Sequence, residues 1–215
     1  MNITIIGANG QIGKLLTERL ASHTEHQVTA VIRKPEQAEA LEQYGAKTAL
    51  ADLEGTVDHL AEVVRGADAV IFAAGSGGST GEDKTLLIDL DGAVKSMEAA
   101  EQEGISRFVL VSAMFSYDRS KWSDSIKPYY VAKHYADRIL EASSLDYTIV
   151  RPGGLLNDEG TGNIEIGEQL SEGGSIPRAD VAELIAHLID NKQTYRKGYD
   201  VISGSTPIAD ALKSL

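Results

Sequence analysis

Asn2-Ile3-Thr4-Ile5-Ile6-Gly7-Ala8-Asn9-Gly10-Gln11-Ile12-Gly13-Lys14-Leu15-Leu16 opens on an apolar run, turns on three glycines, and continues with apolar residues at helical spacing. That order reads as strand, glycine turn, helix. Glycine tolerates positive φ and carries no side chain, so an anionic group can approach the backbone closely. The helix that follows offers free N–H groups and the positive end of its dipole. A glycine pattern between a strand and a helix is the context of a dinucleotide-binding fingerprint.

Two other phosphate loops fail on their residues. A Walker-type loop ends in Gly-Lys-Ser/Thr, whereas Gly13-Lys14 is followed by Leu15, and Ala8 stands five positions before Gly13. The second glycine stretch, Gly75 to Gly81, runs on to Lys84-Thr85 but puts Asp83 before the lysine. A carboxylate there would face the phosphate, so this stretch reads as a flexible loop.

At 215 residues the chain is long enough for one domain with a large core. It has no cysteine, which excludes disulfides, thiolate nucleophiles and cysteine-ligated metals. No metal site is expected. The net charge of −12 argues against general affinity for nucleic acid or anionic membranes. The N-terminal apolar stretch lacks a basic leader and no apolar run would span a bilayer. The expectation is a cytoplasmic protein, monomeric or homodimeric, with a small-molecule substrate.

Apolar runs alternate with helical patterns. Strands are expected at Ile3–Ile6, Val28–Ile32, Thr48–Ala51, Ala69–Ala73, Phe108–Val111 and Tyr147–Val150. Between them helices are expected from Gln11 to Ser22, from Pro35, through Leu60 and Val64, from Leu86 to Ala100, and from Tyr129 to Ala142. This alternation implies parallel strands in a doubly wound α/β sheet of the Rossmann type. After Pro152 the pattern loosens. A helix resumes near Asp180, a short strand is expected near Tyr199–Ile202, and a last helical turn at Ile208–Leu212. Residues 152–215 are expected to add a small substrate cover to a single domain.

Candidate binding residues sit at the expected strand ends. Arg33 and Lys34 close the second strand, where an NAD-specific domain places a carboxylate for the ribose 2′-hydroxyl. Two cations suit a 2′-phosphate better, so NADP is expected over NAD. Asp52-Leu53 follows the third strand, where an adenine ring would lie, and Asp52 reads equally well as a turn residue. Ala73-Ala74-Gly75 ends the fourth strand with small residues that admit a cofactor or merely pack closely.

Ser112 ends the fifth strand, and Tyr129 and Lys133 lie four apart on one face of the next helix. A lysine ammonium lowers the pKa of a nearby phenol, and such a tyrosine can exchange a proton with a carbonyl or alcohol. A serine hydroxyl can hold the same oxygen. Tyr130 competes with Tyr129 for the site, and His134 reads as a surface residue.

These residues carry a family likeness. Ile5-Ile6-Gly7-Ala8-Asn9-Gly10-Gln11-Ile12-Gly13, Val31-Ile32-Arg33-Lys34, Ala74-Gly75-Ser76-Gly77-Gly78, Tyr129 to Asp137, Tyr147 to Leu155 and Arg178-Ala179-Asp180-Val181-Ala182 match across essentially the whole chain. The chain resembles an atypical short-chain dehydrogenase/reductase of the NmrA-like and biliverdin-reductase-B-like group. It is similar to small bacterial proteins labelled sugar epimerase or NAD-dependent epimerase/dehydratase. The resemblance implies a cofactor site at Gly7, Asn9, Gly10, Gln11, Ile12, Gly13, Arg33, Lys34, Asp52, Leu53, Ala73, Ala74, Gly75, Ser112 and Lys133. It implies a catalytic triad at Ser112, Tyr129 and Lys133. Pro152, Gly153 and Leu155 would line the nicotinamide, and Arg178 and Asp180 would begin the helix after the cover.

The chain departs from that family in two places. The insert between Ser112 and Tyr129 is long and holds Phe115, Tyr117 and Trp122, which either line the pocket or pack. The segment after Gly153 is shorter than the substrate domain of sugar-nucleotide epimerases. The expected activity is reduction of a small carbonyl, quinone or flavin-like substrate with NADPH. The alternatives are NADP sensing without turnover, in which the Gly75–Gly81 loop would switch, and epimerase/dehydratase chemistry.

Overall fold

A computed structural model describes residues 1–22, 25–78 and 80–215. The first six strands are β1 (Asn2–Ile6), β2 (Gln27–Ile32), β3 (Lys47–Leu50), β4 (Ala69–Phe72), β5 (Arg107–Val111) and β6 (Asp146–Pro152). Later come β7 (Gly154–Leu156), β8 (Asn163–Gly167), β9 (Ser175–Pro177), β10 (Lys197–Ser203) and β11 (Thr206–Pro207). The helices are α1 (Gln11–Ala21), α2 (Glu39–Glu42), α3 (Val57–Val64), α4 (Glu82–Lys84), α5 (Ala93–Gln102), α6 (Lys127–Ala142), α7 (Arg178–Leu188) and α8 (Ile208–Lys213).

Nine strands form one sheet in the order β11-β8-β10-β6-β5-β4-β1-β2-β3. All pairs from β3 to β10 are parallel, and β8 and β11 close the far edge antiparallel. The stretch β3-β2-β1-β4-β5-β6 has the Rossmann strand order, with the chain reversing direction of travel between β1 and β4. Ligands bind beyond the strand carboxyl ends at such a switch point.

Side chains alternate across the sheet as the strand period requires. Ile3, Ile5, Ile71, Val109 and Val111 face one core, shared with Leu16 and Leu20 of α1 and Leu184 and Leu188 of α7. Ile6, Val70, Phe72, Phe108 and Leu110 face the other, shared with Leu60 of α3, Met97 of α5 and Leu140 of α6. Burial on both faces explains the unbroken apolar runs of β4 and of residues 108–111 in β5. Each fully buried Leu, Ile or Phe contributes about 1.5–3 kcal/mol relative to exposure.

Three elements differ from the sequence expectation. The helix expected from Pro35 is a 3₁₀ turn at Pro35–Gln37 followed by the single turn α2. The Gln37 amide oxygen accepts from the backbone N–H groups of Arg33 and Lys34, at 3.0 and 3.1 Å, and holds that turn.

The long helix expected from Leu86 is interrupted. Between α4 and α5 the segment Thr85–Gly92 is π-helical. Its wider turn brings Asp89 inside and leaves Leu86 and Leu87 51% and 37% exposed. Such segments occur often at functional sites.

The strand expected near Tyr199–Ile202 is the seven-residue β10, which extends the parallel sheet beside β6. The glycine-rich, acidic stretch before it contains β8, of which Ile164 alone is fully buried, so its pattern is not apolar. β7 and β9 form a separate parallel pair at the end of β6. Among the described residues no helix is long and apolar enough to cross a membrane.

Candidate functional site

Two adjoining cavities open over the carboxyl ends of the sheet. The first, about 340 Å³, lies over β1, β2 and β3 and is lined by Gly7, Asn9, Gly10, Arg33, Asp52, Leu53, Ala73, Ala74 and Gly75 among others. The second, about 700 Å³, lies toward β5 and β6 and is lined by Gln11, Ile12, Ser112, Tyr129, Lys133, Leu155 and Arg178, with Gly10, Ala73, Ala74 and Gly75 shared. Together they make one elongated trough centred on the N-terminus of α1.

The glycine turn divides its labour. Gly7 has φ +86°, and a Cβ there would stand 2.5 Å from the Ala74 nitrogen. Gly10 caps α1 without a side-chain hydrogen bond, and the first turn of α1 carries no acidic residue. Gln11 and Ile12, at that helix start, line the second cavity. Gly13 lines neither cavity. A Cβ on Gly13 would lie 2.2 Å from the Gly7 carbonyl oxygen, so this glycine lets strand and helix pack.

Arg33 lines the first cavity and its guanidinium forms no ion pair among the described residues. Lys34 lies outside that lining, exposed, with its ammonium 3.9 Å from Glu36. Asp52 serves its turn, its carboxylate accepting from Glu54 N–H at 3.0 Å, and it also lines the cavity. The sequence reading missed Gln37, which lines the same cavity.

At the other end, the Ser112 N–H donates to the Val150 carbonyl, which continues the β5–β6 ladder past its formal end. The Ser112 hydroxyl is buried and has no hydrogen-bond partner among the described residues. Lys133 is 3% exposed. Its ammonium donates to the Val111 carbonyl at 3.2 Å and lies 3.2 Å from a carboxylate oxygen of Asp89. The other Asp89 oxygen accepts from Ser76 N–H at 3.0 Å. Asp89 is 1% exposed and was absent from the sequence reading.

Tyr129 faces the second cavity, with the Lys133 ammonium 5.6 Å from its ring centre. Tyr130 instead stacks on Trp122, centroids 5.8 Å apart, and lines neither cavity. The expected lowering of the Tyr129 pKa does not result. Burial raises it, and the opposing pull of Lys133 offsets only part of that. Burial pulls the Lys133 ammonium down, but Tyr129 and Asp89 together outweigh burial and raise it.

His134 is buried, contrary to the surface position expected, with its Nδ1 2.9 Å from the Ser116 carbonyl. Phe115, Tyr117 and Trp122 pack behind the trough instead of lining it. Phe115 takes φ +63°, and its carbonyl accepts from the Trp122 indole N–H at 3.0 Å. The Tyr117 hydroxyl donates to Asp200 at 2.6 Å.

Pro152 and Gly153 do not line either cavity. Pro152 closes β6, and a Cβ on Gly153 would meet the Gly174 carbonyl at 2.3 Å, so Gly153 permits the β7–β9 crossing. Asp180 lies in the first turn of α7, but its carboxylate accepts from the Thr161 and Gly162 N–H groups and organises that loop. In the glycine stretch, the Thr80 hydroxyl donates to the Ser76 and Gly77 carbonyls. Ser79, within it, lies outside the described residues.

The trough fits a dinucleotide on its own features: an uncapped helix start with no acidic residue in its first turn, and a buried Ser112 hydroxyl with no partner among the described residues. Residues 7–192 match the NAD(P)H-binding family. The chain belongs to that family.

Some relatives of this NAD(P)H-binding chain match it over all or nearly all of their length. A Bacillus subtilis protein named as an uncharacterized sugar epimerase, YhfK, is 52% identical over 215 residues and covers all of both chains. The structure of the oxidoreductase ylbE from Lactococcus lactis is similar at TM-score 0.90 and 38% identity, covering 100% of this chain and 96% of that one. ChuY, an anaerobillin reductase from Escherichia coli O157:H7, is similar at TM-score 0.81 and 27% identity, over 94% and 97% of the two chains. The family is therefore NAD(P)-binding and oxidoreductase- or epimerase-like in its named members.

Proposed function

We propose that the protein is an NADP-dependent oxidoreductase that reduces a small carbonyl, quinone or flavin-like substrate. The observation that carries this reading is one trough with Arg33 at one end and Ser112, Tyr129 and Lys133 on the wall of the other. The backbone N–H groups of Gln11 and Ile12 would meet the phosphates, and Arg33 the 2′-phosphate. Leu53 and Asp52 would meet the adenine. The small residues Ala73, Ala74 and Gly75 leave room for the sugars.

When bound, NADPH supplies the hydride. Tyr129 donates its phenolic proton to the substrate oxygen that gains charge. The buried Ser112 hydroxyl, without another partner among the described residues, donates a hydrogen bond to the same oxygen. Lys133 stays charged because Asp89 faces it, and its field favours the phenolate left behind.

A screen of aldehydes, quinones and free flavins, followed by loss of NADPH absorbance, tests the reading. Net NADPH oxidation with a defined acceptor supports it. Epimerase chemistry, which the name of the Bacillus subtilis relative favours, regenerates its cofactor and shows no net consumption.

A further inference from the structure

Two buried arginines elsewhere in the fold are fully engaged. Arg107 directs its guanidinium to the carbonyls of Ile189, Asp146 and Leu188 and to the Thr148 hydroxyl. Arg151 is paired with Asp137 and Glu141. Arg178 differs. One of its terminal nitrogens donates to the Leu155 carbonyl at 3.2 Å and to the Asn157 side-chain oxygen at 2.7 Å. The rest of the fork has no hydrogen bond and no ion pair among the described residues, and the side chain is half-buried in the wall of the second cavity.

The other charges in that wall do not neutralise it. Lys133 and Asp89 are paired with each other. Glu82 sits exposed at the start of α4 and forms no ion pair with Arg178. A half-buried guanidinium fixed at one nitrogen and open at the others is built for a planar oxyanion, which it can bind with two parallel N–H groups.

We propose that Arg178 anchors a carboxylate on the substrate, so that the enzyme takes carbonyl compounds with a carboxylate arm. The carbonyl part of this statement rests on the reductase reading above; the carboxylate part does not. In turnover the carbonyl carbon gains hydride from the reduced dinucleotide and its oxygen gains the Tyr129 proton. Tyr129 is then reprotonated from solvent. Arg178 holds the far end and takes no part in bond changes.

The probes are 4-carboxybenzaldehyde and benzaldehyde, which differ only in the carboxylate. Their binding to the full chain saturated with oxidised NADP is measured by calorimetry, where no reduction occurs, and their reduction by NADPH is followed separately. Wild type should prefer 4-carboxybenzaldehyde by roughly ten- to hundredfold, the worth of a charge-assisted pair. Arg178→Gln should erase that preference and Arg178→Lys, which keeps the charge and loses the fork, should retain part of it. A preference that depends on Arg178 supports the anchor even if neither aldehyde is reduced, an outcome that would count against the reductase reading alone. Wild type without preference, or Arg178→Gln with an undiminished one, overturns the proposal. So does a loss in Arg178→Gln that falls on NADP affinity, because the guanidinium would then serve the cofactor.

Discussion

The Lys133 ammonium and the Asp89 carboxylate meet at 3.2 Å with both side chains almost wholly withdrawn from solvent. The pair joins α6 to the π-helical segment, and through Ser76 N–H it also holds the start of the glycine-rich loop. Removing one partner of a buried pair strands the other charge. Asp89→Ala is expected to lower stability by about 3–5 kcal/mol in urea unfolding, and Asp89→Leu combined with Lys133→Met by clearly less than the sum of the two single changes. Additive losses would show that the two groups are not coupled.

Much of the fold was legible because β4 and residues 108–111 of β5 are covered on both faces and therefore read as unbroken apolar runs. The glycine turn was legible because its spacing sits between a strand and a helix. Asp89 was not, because a buried acid and a solvated one look alike in sequence, and a π-helical turn shifts the face that a 3.6-residue period assigns. His134 was misread for the same reason: its ring is buried against Trp122 and Tyr135, and nothing adjacent in sequence announces that. β8 was hidden because its residues other than Ile164 retain some exposure.

Gly13 offers a separation of structural from binding roles. A Cβ at 2.2 Å from the Gly7 carbonyl oxygen forces strand and helix apart. Gly13→Ala should cost about 3 kcal/mol, the upper part of the range for overpacking. Thermal or urea unfolding of the cofactor-free protein checks this. An unaltered midpoint would mean that the turn relaxes freely.

Arg33 and Lys34 should behave differently despite their adjacency. Arg33 lines the first cavity with no ion pair among the described residues, whereas Lys34 sits outside it beside Glu36. Arg33→Gln should reduce the NADP-over-NAD preference roughly tenfold, measured as a ratio of dissociation constants, the size expected for one exposed charge-assisted contact. Lys34→Gln should change the ratio by no more than about twofold, being exposed and screened.

The pH dependence follows from the direction of the Tyr129 shift. Reduction needs the protonated phenol, and burial holds its pKa above the ordinary value of 10.0. Activity is therefore present below that pKa and is lost as pH rises through it. The tyrosine should contribute no decline in kcat/KM between about pH 6 and 9, with its loss only at higher pH. A limb near pH 7 that disappears in Tyr129→Phe would contradict the burial argument.

The most direct test of the proposed chemistry compares wild type with Tyr129→Phe at saturating NADPH and an accepted carbonyl substrate, with NADPH affinity measured alongside by fluorescence. The expected result is a fall in kcat of roughly 10²–10⁴-fold with the NADPH dissociation constant within about twofold of wild type, as for loss of a proton donor. Undiminished NADPH consumption by the phenylalanine variant would contradict the account.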